Sequence, residues 1–108
     1  MAVKLSQHKT TEEQWCAFDT RFQLHAIATE LARISSASVR HGNEDRMTHG
    51  AYDRFFDLVD LTLADPKWKG QVRALYGLRD AVASLYVGAG DPAVVAHGFS
   101  EVLLLIHE

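Results

Sequence analysis

The 108-residue chain carries eleven lysines and arginines against fourteen acids, a net charge of −3 with histidine neutral, and 47% hydrophobic residues. A chain of that size sustains one small core, and its balance of apolar and charged residues excludes an intrinsically disordered polymer. Residues 1–54 hold seven basic and seven acidic side chains, so there is no clustered basic footprint of the kind that nucleic acid requires.

The single cysteine, Cys16, has no internal disulfide partner and fits a reducing compartment. Met1–Thr11 lacks the apolar run of a secretion signal. The longest run of large apolar residues, Val102–Ile106, is too short to span a bilayer. The expectation is a cytoplasmic, single-domain protein covering residues 1–108, with neither membrane nor nucleic acid among its partners.

Thr10-Thr11-Glu12-Glu13 reads as a helix start, a threonine cap followed by acids at the positive end of the dipole. The first helix is expected over about 12–34. Trp15, Phe18 and Phe22 form one apolar stripe along it. Leu24, Ile27, Leu31 and Ile34 form a second, turned well over a quarter of the way round the helix. Two stripes require either two packing partners or a kink near Gln23. Aromatic rings bury the most area, which assigns Trp15, Phe18 and Phe22 to the core. Leu24, Ile27, Leu31 and Ile34 are then the interface with another subunit.

Ser35–Arg46, rich in small polar residues and an Asn beside a Gly, reads as the longest loop. A second helix is expected over about 48–64. Tyr52, Phe55, Phe56, Val59 and Leu63 share one of its faces, with Asp53, Asp57 and Asp60 opposite.

Asp65-Pro66 and Asp91-Pro92 each pair a helix-capping carboxylate with a proline suited to the first turn, and the glycines before Asp91 supply a stop. They bound a third helix over about 66–87 and a fourth over about 92–107. The third buries Trp68, Val72, Leu75, Leu78, Val82, Leu85 and Tyr86. Arg79 stands at the edge of that stripe, either snorkelling or paired with an acid. The fourth buries Val95, Phe99, Val102 and Ile106, with Glu101–His107 as an edge strand the alternative. Short connections place consecutive helices antiparallel, giving an all-α, four-helix up-and-down bundle.

His49, Asp53 and Asp57 recur every four residues, so each stands one turn from the next, a workable spacing for sharing an ion. His97 and Glu101 repeat the spacing, as do His8 and Glu12. His25, on the aromatic stripe, is a further candidate ligand or base. Apart from His25, these side chains lie opposite the core stripes and read first as a solvated acidic face. Lys67, Lys69 and Arg73 cluster at the start of the third helix, and with Arg79 they offer an anion site. Cys16 has no thiol-enzyme signature around it and reads as inert.

No phosphate loop, nucleophile elbow, metalloprotease motif or dinucleotide fingerprint is present. No catalytic residue and no cofactor are therefore assigned. The expected function is association, as a homo-oligomer with a dimer favoured, or as a module binding another protein. A metal-binding bundle is the first alternative and a small-ligand or anion binder the second.

Overall fold

The computed structural model describes residues 11–42, 45–88, 90, 91, 93 and 95–100. Among them there is helix and no strand. The elements are α1 (Glu12–Cys16), α2 (Thr20–His41), α3 (Arg46–Leu63), a 3-10 segment (Pro66–Gln71) and α4 (Val72–Tyr86). Residues 95–100 are also helical. No helix among the described residues is long and apolar enough to cross a membrane.

The expected first helix is two helices. Thr11 caps α1 in a capping box with Gln14, the two residues exchanging side-chain and backbone bonds of 3.1 Å. Asp19 then caps a new helix by accepting from the Phe22 N–H at 2.8 Å. That break re-phases the helix and answers the puzzle of the two stripes. Trp15 stays in the core, as do Leu24, Ile27 and Ile34, with Leu31 packed against it. Phe18 and Phe22 are left outside, 39% and 48% exposed. The assignment of Leu24, Ile27, Leu31 and Ile34 to a subunit interface is thus corrected: they pack within their own chain, because α2 faces α3 with its aliphatic side.

The expected loop over Ser35–Arg46 is corrected as well. Helix α2 continues to His41 and ends at Gly42, whose φ of 85° is a conformation that costs glycine little. Serine lowers helix propensity by only about half a kcal/mol relative to alanine, which the burial of Ile34 offsets. Asp45 caps α3 by accepting from the Met47 N–H at 2.8 Å. The Thr48 hydroxyl donates to the Gly42 carbonyl at 2.8 Å, tying the turn to α3.

Asp65 caps the next element as expected, accepting from the Lys67 N–H at 2.9 Å. The helix it opens begins as a 3-10 segment and becomes α-helical only at Val72. Gly88, at φ 82°, follows its end. The Asp91 carboxylate accepts from the Ala93 N–H at 2.9 Å, so the second Asp-Pro mark also sits at a helix start. The strand alternative for Glu101–His107 lies outside the described residues.

Side-chain pairings set the direction of the helices. Gln23 meets Asp65, Glu30 meets Arg54, and Thr48 meets Gly42, so α2 and α3 are antiparallel. Asp60 meets Arg79 while Tyr52 meets Tyr86, so α3 and α4 are antiparallel too. The core between them is Tyr52, Phe55 and Val59 from α3, Leu75, Leu78 and Val82 from α4, Trp68, and the aliphatic face of α2. Val95 and Phe99 pack against it. A Cβ at Gly98 would stand 3.4 Å from the Leu78 Cα, so glycine there permits a close approach to α4.

Candidate functional site

The proposed metal line does not gather. Asp53 and Asp57 are exposed on α3, as expected of its polar face. His49 is half-buried, its ring edge-on to Tyr86 at 5.3 Å. His25 is exposed, because the stripe it shares with Phe18 and Phe22 faces outward. His97 is exposed on the helical stretch 95–100, and Glu101 and His8 lie outside the described residues. Among the described residues no three His, Cys, Asp or Glu side chains are placed to hold a metal ion.

Half of the proposed anion site is already engaged. Lys67 Nζ donates to Asp65 Oδ2 at 2.8 Å and to the Cys16 carbonyl at 2.7 Å. Arg79 Nε donates to Asp60 Oδ1 at 2.8 Å, and the guanidinium lies 5.2 Å from the Phe56 ring centroid. The Asp60 hydrogen bond and charge stabilise the cationic form and raise the Arg79 pKa. Lys69 and Arg73 remain exposed.

What the sequence did not announce is a buried polar cluster where α1, α2, α3 and the 3-10 segment meet. The Gln23 side chain is fully buried and makes three bonds. Its Nε2 donates to the Trp15 carbonyl and to Asp65 Oδ2, each at 2.8 Å, and its Oε1 accepts from Trp68 Nε1 at 2.6 Å. Trp15 Nε1 donates to Thr62 Oγ1 at 2.9 Å, and that hydroxyl donates to the Leu58 carbonyl at 2.7 Å.

Burial pushes the Asp65 carboxyl up, but the bonds from Lys67 and Gln23 and the Lys67 charge outweigh it and hold the pKa at about 2. Burial, reinforced by the neighbouring Asp65 carboxylate, raises the Cys16 thiol. A thiol so placed is a poor nucleophile, as expected from its sequence context. Among the described residues every buried side-chain nitrogen and oxygen has a partner. A cluster with all its valences used internally fixes helices rather than binding a ligand.

A second polar pocket of charge, half-buried, is simpler. Glu30 on α2 accepts from Arg33 at 2.8 Å and from Arg54 of α3 at 3.2 Å. It clips the two helices near their middle and leaves no free carboxylate oxygen.

The remaining feature is a cleft of about 590 Å³ at the other end of α2. Its walls come from the C-terminal half of α2, the last turn of α4 and the helical stretch 95–100. Leu31, Ile34, Val82, Leu85, Val95 and Phe99 give it an apolar surface, and Tyr52 of α3 reaches it. The signal in the sequence was a run of small residues on one face of α2, namely Ala28, Ala32 and Ser35, spaced four and three apart. No family model matches this chain, and neither the curated proteins nor the solved structures contain a significant match.

Proposed function

We propose that the protein is a small helical association module that forms a homodimer through the corner where α1 meets α2. Residues 95–100 would belong to a fourth helix that completes an antiparallel up-and-down bundle in a single domain. The observation that carries the reading is the Phe18–Phe22 pair. The two rings lie 4.2 Å apart between centroids and are 39% and 48% exposed, with Trp15 edge-on to Phe18 at 6.3 Å. Single exposed apolar residues need no explanation, whereas adjoining aromatic rings at a surface are what protein interfaces are enriched in. The apolar surplus of the first helical region, which pointed to association in the sequence, here falls on the aromatic stripe across the α1–α2 break instead of the aliphatic one.

The alternatives have less behind them. A metal reading has no cluster among the described residues. An anion reading loses Lys67 to Asp65 and Arg79 to Asp60. Light scattering on the purified chain tests the proposal: a dimer is expected, and Phe18→Ser with Phe22→Ser should yield a monomer of unchanged helicity. A monomeric wild type, or a variant that stays dimeric, refutes it.

A further inference from the structure

We infer that the cleft between α2, α4 and residues 95–100 binds a neutral small molecule that is mostly hydrocarbon and carries one hydroxyl or carbonyl group. Its size, its walls and its lining support the inference. At about 590 Å³ the cleft falls in the size range of pockets that enclose drug-sized ligands, roughly 300–1,000 Å³. It is concave, walled by three separate stretches of chain, and so offers a ligand contacts on several sides.

The space exists because of residue size. Ala28 and Ala32 on α2 and Gly88 beyond α4 border it with little side chain, and Gly90 lines it where a Cβ would stand 2.5 Å from the Leu85 backbone nitrogen. The core away from the cleft is filled by large side chains such as Phe55, Trp68 and Leu75, which are fully buried.

The lining also selects for charge. None of its described residues is ionic at neutral pH, and an ionised headgroup would be desolvated there with no counter-ion. Ser35 and Ser38 on α2 and Tyr52 on α3 are the lining residues that carry hydroxyls, the chemistry suited to orient a single hydrogen-bonding function. Val39, 84% exposed, continues the apolar surface at the rim.

The probe is Nile red, an uncharged apolar dye with one carbonyl, titrated into the purified protein and followed by its emission. Saturable, one-to-one binding is expected. Ala32→Phe should weaken it by about tenfold or more, as a ring occupying part of the site would. Ser35→Phe serves the same purpose should Ala32→Phe fail to keep its helical circular dichroism. Phe18→Ser with Phe22→Ser should leave the affinity unchanged, which separates the cleft from the aromatic corner and from the association reading.

Dodecanol should displace the dye at lower concentration than dodecanoate. The inference is overturned by non-saturable binding, by equal affinity in the folded cleft-filling variants, or by loss of binding in the Phe18, Phe22 variant. Equal displacement by dodecanoate overturns the assignment of a neutral ligand.

Discussion

At one end of α2, Gln23 makes three buried hydrogen bonds, to Trp15, Asp65 and Trp68, and the space around it is closed by two indole rings. At the other end of the same helix, Ala28, Ala32 and Ser35 face a cleft of about 590 Å³. Helices α2 and α3 contribute to both ends, the first joined there by α1 and the 3-10 segment and the second by α4 and residues 95–100. The difference teaches how one small chain divides its labour. Stability is concentrated where large side chains and satisfied polar groups interlock, and the opposite end is free to stay open. A void in the interlocked end would cost stability, whereas the open end already tolerates one.

The comparison is broken most severely at Trp68. Its ring is fully buried and its Nε1 is the donor to Gln23. Trp68→Ala removes the ring and orphans Gln23 Oε1, so a loss of about 3–5 kcal/mol is expected. Urea denaturation followed by circular dichroism checks it. A loss below about 1 kcal/mol, the range of ordinary surface changes, would show that the tight end does not dominate stability.

How much of this was legible in the sequence follows from the range of each interaction. The caps at Thr11, Asp65 and Asp91 were readable because a cap bonds an N–H two or three residues ahead. The apolar faces of α3 and α4 were readable because helical periodicity is local. The helix break at Asp19 was only half legible: the two stripes left a kink near Gln23 as one reading, but Ala17-Phe18-Asp19 carries neither glycine nor proline to mark it. Missing it inverted the two stripes of the first helical region.

The polar cluster was unreadable for a different reason. Gln23 meets partners 42 and 45 residues away, and a lone glutamine in a helix announces no such pairing. Asp65 was recognised only as a cap, while its second oxygen joins Gln23 and Lys67. The cleft left only a faint trace, Ala28, Ala32 and Ser35 on one face, and small residues on a helix face signal space only once the neighbouring helices are known.

Acid sharpens the contrast next. Asp65 has its pKa held at about 2, below the ordinary 3.8. A carboxylate with a depressed folded-state pKa adds stability that is fully present above its unfolded value, and that stability is lost as pH falls through the folded one. The window here is therefore from about 4 down to about 2, and the contribution is about 2 kcal/mol. Subtracting the stability of Asp65→Asn from that of the wild type at pH 7, 4 and 2 isolates it. The difference should shrink over that window. A difference that stays constant would mean that Asp65 acts as a cap alone.

The smallest effect is expected at the open end, and it tests the comparison from the other side. Ala28 stands half-buried on α2 and lines the cleft. In a close-packed interior, adding methylene groups forces neighbours off their rotamers and costs about 1–3 kcal/mol. In a cleft the added atoms meet space, gain apolar contact, and leave the backbone in place. Leucine is also nearly as good a helix former as alanine. Ala28→Leu should thus change stability by less than about 1 kcal/mol, with a slight gain the favoured sign. Differential scanning calorimetry on the ligand-free protein is the suitable measurement, because a ligand bound only by the wild type would raise its melting temperature and mimic a cost. A loss of about 2 kcal/mol or more would mean that α2 packs as tightly at Ala28 as it does at Gln23. The two ends would then be alike.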